Sequence, residues 1–481
     1  MQPWFQNGTC DPFRPQSTPC TLGNLVQYSI NVSSAADVVA GLKFGREKNV
    51  RLAIKNTGHE FSGKNTAKGG LGLWTHNLNK IEINTNYSRP SYKGPAMKMG
   101  AGTLAASAYQ AAHALGYRVI GGSCPTVGLA GGYTQGGGHS VLSSIYGLGA
   151  DNVLEWEVVT ADGRQLIASP EQNADLFWAL SGGGPATYAV VISMTTRMYL
   201  DGPTSGASLT FSSSGIDQAT YWAAIENFQS NLAPLVDAGA VVLYTITPSN
   251  FLMFASAPAI AASTFDTGFA SVKSHLTQVG IAHNLTVTAD LTYYDHFQRY
   301  YGPLPNGIWE VSHLIGSRLI PRSVVTAPAG NKALVDAYAN ITASGDFIVV
   351  SIAMNASRPA TLPGGNSVHP AWRSALLHTL AYWPWDWTAS PATITARERT
   401  LTEDIEPQLV QLSPGSGTYL NEANFNMKNA QQEFYGPNLA RLRSLKKKWD
   451  KQGLLWARTA IGSEAWVEDG TQRLCKSGKD F

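Results

Sequence analysis

Residues 121–149 read GGSCPTVGLAGGYTQGGGHSVLSSIYGLG and hold ten of the chain's 47 glycines. So many residues without a Cβ disfavour the interior of a helix or strand, and they let backbone approach a partner closely. A flat, phosphate-bearing ligand is such a partner. A chain of 481 residues can bury a large core and has room for two to four domains or one large fold with an elaborate second part. Only 14% of residues are charged and the net charge is +2, against about 25% charged in ordinary soluble chains. That balance argues against nucleic acid or an anionic lipid surface as partner. Apolar runs stay far below the roughly 18 residues that span a bilayer, so no membrane segment is expected.

The pattern along the chain alternates between strand and helix. LVQYSINV reads as a strand, SSAADVVAGLKFGREKN as a capped amphipathic helix and VRLAIKN as a second strand. Residues 94–120 repeat the theme. VLEWEVVTADGRQLIAS reads as a hairpin turning at Asp162-Gly163. Composition shifts near Asp201, and residues 205–418 become Ser/Thr-rich and aromatic, with helices expected at 216–231 and 395–412 among alternating strands. A final helix is expected at 437–449, its Lys446-Lys447-Lys448 run forming a solvated end.

Met1 is followed by Gln-Pro-Trp-Phe-Gln, which lacks the basic start, apolar stretch and small-residue site of a secretory signal. The chain is therefore cytosolic or has had its signal removed. Cys10 and Cys20 bracket a Pro-rich stretch that a local bridge would rigidify. That pair favours a secreted, extracellular protein, as do Asn-x-Ser/Thr sites at Asn7, Asn31, Asn86, Asn284, Asn340 and Asn355. Cys124 and Cys475 remain, to pair with each other or to serve separately.

Gly100-Ala-Gly102-Thr-Leu-Ala105 matches a dinucleotide-binding fingerprint between a strand and a helix. It is read as a decoy, because the first acidic residue after it is Asp151, too far to hold a ribose. The Gly-dense segment gains meaning beside NTGHEFSGKN at 56–65, which follows a strand and carries His59 in a polar turn. Two backbone-rich loops then present a histidine and a cysteine, Cys124. No metal site is assigned from the sequence.

These motifs, with DLFWALSGGG and TYAVV, YLNEAN at 419–424 and FYGPNLARLRSLKKKWD at 434–450, stand in the order of a known family. The chain resembles the FAD-linked oxidases of the vanillyl-alcohol-oxidase fold, in the berberine-bridge-enzyme-like group, and most of all its fungal extracellular members. The resemblance implies an α+β protein: a two-part FAD-binding domain of the PCMH type, residues 1–204 and 419–481, around an α+β substrate domain, 205–418, with an antiparallel sheet. It implies FAD bonded covalently to His59 through its 8α carbon and to Cys124 through C6. Asn56, Thr57, Gly58, Glu60, Phe61, Ser62 and Gly63 would line the cofactor on one side. Gly122, Ser123, Thr126, Val127, Gly128, Gly131, Gly132, Gly138, His139 and Val190 would line it on the other.

Val127, three residues after the cysteine, is of the small type found in members that react with oxygen, which implies an oxidase releasing hydrogen peroxide. Tyr419 and Asn421 form the family's Y-x-N signature, with Tyr419 assisting proton removal. The pattern usually ends in Asp where this chain has Asn424. Residues 351–375, where related enzymes carry a carboxylate base, contain no Asp or Glu. The acid–base group is therefore Tyr419, with His139 or His76 beside it, or a residue the sequence does not reveal. The expected partners are a small alcohol-type molecule and O2, acting on a monomer. A sugar lactol is the alternative, suggested by YWPWDW at 382–387, whose rings would stack on sugar faces. A flavin-carrying protein of low turnover is the other.

Overall fold

The computed structural model describes residues 3–6, 10, 11, 13, 15–309, 312–357 and 364–479. Asn7, one of the six glycosylation sequons, lies outside them. The chain opens with a small parallel sheet in which Leu71–Trp74 lies between Tyr28–Asn31 and Leu52–Lys55. Helix Ala35–Lys48 covers it, started by a capping box between Ser34 and Asp37 and stopped by Asn49 at φ 53°. Cβ atoms at Gly41 and Gly45 would stand 2.5 Å from Leu73 and 2.8 Å from Leu52, so these glycines let the helix settle onto the sheet.

A second sheet runs Ile81–Arg89, Tyr92–Gly100, Ala189–Leu200, Val153–Thr160, Gln165–Ala168, with Tyr117–Val119 also paired to Ala189–Leu200. The hairpin turning at Asp162-Gly163 is present, with Gly163 at φ 89°. Gly100 and Gly102 pack on backbone: a Cβ there would come within 2.1 Å of the Leu78 carbonyl oxygen and 1.9 Å of that of His76. Chain packing thus accounts for the fingerprint glycines.

The third sheet is antiparallel with seven strands, in the order His283–Asp290, Thr204–Ser212, Asn250–Pro258, Val241–Ile246, Ile348–Ala353, Ala375–Pro384, His313–Pro321. Side chains alternate across it with the two-residue strand period. Val242, Tyr244, Val349 and Leu377 join a core with helices Gln218–Ser230 and Pro328–Thr342. Leu243, Val350, Ile352 and Leu380 face the other way and form an apolar wall. Among the described residues no helix is long and apolar enough to cross a membrane.

The last long helix, Leu439–Trp449, packs on Ala174–Leu180. Here the structure corrects one expectation. Lys446 is buried, and its Nζ donates at 2.7 Å to Asp450 Oδ2 and to the carbonyls of Thr187 and Leu455. The lysine run is thus partly internal, because position 446 falls on the inward face with Leu442, Leu445 and Trp449. Cys10 and Cys20 form the local disulfide. Cys124 and Cys475 are unbridged, so they do not pair with each other.

Candidate active site

A cavity of about 530 Å3 opens between the loops of the first two sheets and the apolar wall of the third. Its floor is the Gly-dense segment, and the structure shows what fills the space that side chains would occupy. A Cβ at Gly128 would lie 2.6 Å from Asn56 Oδ1, at Gly131 2.8 Å from Asn56 Nδ2, and at Gly136 2.2 Å from Asn421 Oδ1. Gly138, at φ 76°, accommodates the Tyr133 ring in the same way. Asn56 and Asn421 therefore press into the loop from opposite ends. Asn421 Nδ2 donates to the carbonyls of Gly132 and Tyr133 and, at 2.8 Å, to the Tyr419 hydroxyl.

Asn56, Thr57, Gly58, His59, Glu60, Phe61, Ser123, Cys124, Val127, Gly128, Gly131, Gly132, His139, Val190, Tyr419 and Asn421 all line this cavity. Five residues expected beside them act from behind. Thr126 Oγ1 is 2.7 Å from His59 Nε2 and 3.7 Å from Cys124 Sγ, tying the two loops together at these two side chains. The Gly138 N–H donates to the Tyr419 hydroxyl, the Gly122 carbonyl accepts from Tyr109, and the Ser62 N–H donates to Glu60. Gly63 makes room for Phe5. Burial pushes the His59 imidazole down to about 4, so near neutrality it carries a free lone pair. His76 is not at the site: it stacks on Trp74 beyond the strand, with ring centroids 5.7 Å apart.

Two residues the sequence reading passed over complete the centre. Glu422 lies in the turn after Asn421, and its carboxylate meets His139 Nε2 at 3.0 and 3.2 Å and His378 Nε2 at 2.7 Å. Burial works against ionisation of Glu422, but the adjacent His139 and the bonds from both imidazoles hold its carboxyl below the usual carboxylate range. His378 is fully buried, which lowers its basicity against the pull of Glu422. The Tyr419 ring stands edge-on to both histidines. The available signal for His378 was a lone histidine in the apolar strand ALLHTLAYWP, on the face that also carries Leu380 and Tyr382.

The cavity also suits a ligand rich in donors and acceptors. Among the described residues both amide atoms of Asn65 and the Oδ1 of Asn56 are buried without a hydrogen-bond partner, and both residues line it. Such groups are rarely left unpaired in a finished site.

A family model described as an FAD binding domain matches residues 26–169, and one described as berberine and berberine-like matches 418–462. Over 476 residues the chain is 45% identical to the VAO-type flavoprotein oxidase VAO615 of Thermothelomyces thermophilus, spanning 98% of this chain and 82% of that protein. The chain belongs to the VAO-type family of FAD-linked oxidoreductases. It is also 43% identical over 486 residues to the bifunctional decalin synthase calF of Penicillium decumbens, spanning 99% of this chain and 83% of that one. The crystal structure of the VAO-type flavoprotein MtVAO615 from Myceliophthora thermophila C1 superposes with a TM-score of 0.94 at 44% identity, covering 99% of this chain and 87% of the other. As a VAO-type oxidoreductase the protein takes FAD, and the orphaned amides and glycine floor are the features that suit it.

Proposed function

We propose that this VAO-type protein is an oxidase holding FAD by two covalent bonds, to His59 and Cys124, and oxidising a hydroxyl-bearing, largely hydrocarbon small molecule while O2 becomes H2O2. The observation that carries the reading is the placement of those two nucleophiles on one cavity, linked through Thr126. Asn56, Thr57, Gly58 and Glu60 would hold one edge of the cofactor, and Ser123, Gly128, Gly131, Gly132 and Val190 the other. Bound FAD accepts a hydride and passes the electrons to oxygen.

The chain's own residues supply the rest. The substrate lies against Leu243, Val350, Ile352 and Leu380, where unpaired sugar hydroxyls would lose their hydrogen bonds to water at about 1–3 kcal/mol each. Trp383 is in the core of the third sheet, Trp385 packs against that core, and Trp387 lies against Phe13, so the tryptophans of 382–387 offer no stacking surface in the cavity. An apolar substrate also accords with a relative named for decalin synthesis. Tyr419 accepts bonds from Gly138 and Asn421, and burial pushes its phenol well above its ordinary range, so it stays protonated and orients the substrate. The hydroxyl proton goes to His139: its Nε2–H donates to Glu422, which leaves Nδ1 as the basic nitrogen. Glu422 then carries the charge opposite the imidazolium, and His378 fixes the carboxylate from the far side.

The test is denaturing electrophoresis with in-gel fluorescence, followed by peptide masses for the wild type, His59→Ala and Cys124→Ala. Flavin retained on both the His59 and Cys124 peptides is expected, with one attachment surviving in each variant. Flavin released on denaturation overturns the covalent reading. Reduced flavin that persists for minutes in air overturns the oxidase.

A further inference from the structure

The group formed by His139, Glu422 and His378 has a second capability. Its three ligand-type atoms, two imidazole nitrogens and a carboxylate oxygen, lie within 4.8 Å of one another. Zinc bonds nitrogen and oxygen at about 2.0–2.2 Å in a tetrahedron, which sets its ligand atoms roughly 3.3 Å apart and the centroids of two ligating imidazoles roughly 5 Å apart. In this protein the nitrogen to oxygen separations are 2.7, 3.0 and 3.2 Å, and the two ring centroids are 5.4 Å apart. The two edges that meet at Glu422 Oε2, 2.7 Å to His378 Nε2 and 3.2 Å to His139 Nε2, already stand near that spacing, and all three ligand atoms lie within 4.8 Å of one another. His139 and Glu422 line the cavity, so an ion held by them lies at its wall. The backbone supports are separate: the glycine floor for His139, strand Ala375–Pro384 for His378, and the turn Leu420–Glu422 for the carboxylate. With residue numbers so far apart, no ligand spacing was visible in the sequence.

We infer that His139, His378 and Glu422 bind one divalent ion of the zinc class at the wall of the substrate cavity. Two nitrogens and one oxygen select zinc, cobalt or copper over calcium or magnesium, which prefer all-oxygen sites. The Nδ1 of His378 is buried without a partner among the described residues. That ligand lacks the outer bond that orients most metal-bound imidazoles, so affinity falls about 10–100-fold short of a fully supported site. An ion on His139 Nε2 leaves the ring proton on Nδ1, the nitrogen assigned above to the substrate proton, so that base is lost. The ion therefore acts as a reversible inhibitor removable by a chelator.

The probe is Co2+ added to the purified flavin-loaded protein, read by its own visible ligand-field bands in difference spectra and displaced by Zn2+. One Co2+ per chain is expected, with affinity at least tenfold weaker in Glu422→Gln and in His378→Gln. Affinity is unchanged in His76→Ala and Cys475→Ser, which remove ligand-type side chains outside the group. X-ray absorption of the zinc-loaded wild type reads the ligands without any variant, and two imidazoles with no sulfur are expected. Absence of Co2+ uptake, binding intact in both ligand variants, or a sulfur ligand would overturn the inference. These readouts are the metal's own, so they stand apart from the fate of the covalent flavin reading.

Discussion

Glu406 offers a test of how this fold tolerates a buried acid. It is 6% exposed at the start of helix Glu406–Leu412. Its Oε2 accepts from Asn424 Nδ2 at 3.1 Å, and its Oε1 has no hydrogen-bond partner among the described residues. Burial raises its carboxyl to about 8, with Glu398 and Glu433 pushing the same way against the bond from Asn424 and the charge of Arg318. An acid whose folded value lies above its unfolded 4.5 binds its proton more tightly in the native state. Its contribution is thus fully present below pH 4.5 and is lost as the pH rises towards 8. At about 1.4 kcal/mol per pH unit, that interval sets an upper bound of about 5 kcal/mol on the loss. Glu406→Gln keeps the shape and the acceptor for Asn424 but cannot ionise. Melting temperatures of the wild type and variant, measured from pH 5 to pH 8.5, should diverge as pH rises, with the variant the more stable at the alkaline end. Parallel curves would refute the reasoning. The Asn424→Asp change replaces a donor with a second acid and should steepen the wild-type decline.

Further outcomes follow from contacts already described. Asp450→Ala leaves the Lys446 ammonium buried without its counter-ion and should cost about 3–5 kcal/mol in urea unfolding, whereas a cost below 1 kcal/mol would mean the lysine reaches water. Gly136→Ala places a methyl 2.2 Å from Asn421 Oδ1, so it should destabilise by about 1–3 kcal/mol and lower flavin content, measured as the 450 nm to 280 nm absorbance ratio. Val127→Leu narrows the cavity beside Cys124 and should slow reoxidation of reduced flavin in stopped flow at least tenfold; an unchanged rate removes Val127 from the oxygen path.

Much of the fold was legible because local patterns agreed with local structure: the Ser34–Asp37 capping box, the Asp162-Gly163 turn and the alternating strand at Ile348–Ala353 all signal themselves within a few residues. Both loops of the cavity were legible through glycine and through the histidine and cysteine they carry. Of the cluster His139, Glu422 and His378 only His139 was legible, because the other two come from positions 378 and 422 and meet it only in the folded chain. Lys446 misled for a similar reason: a run of three lysines signals solvent, yet the helix turns each one by about 100° and delivers the first to an inward face. Asn424 finds a partner that its local sequence does not announce, the acid of Glu406, which lies 18 residues earlier on another element.

The pressing of Asn421 into the floor at Gly136 also imposes an order in time. A nascent chain that has emerged only as far as residue 418 already carries His59, Cys124 and the whole apolar wall, but the glycine floor then has nothing against one of its ends. Tyr419, Asn421 and Glu422 arrive together, and with them the clamp on the floor and the carboxylate between the two histidines. Ligand capture and chemical competence are therefore expected to begin in the same late step of folding, so that a partly made chain holds neither.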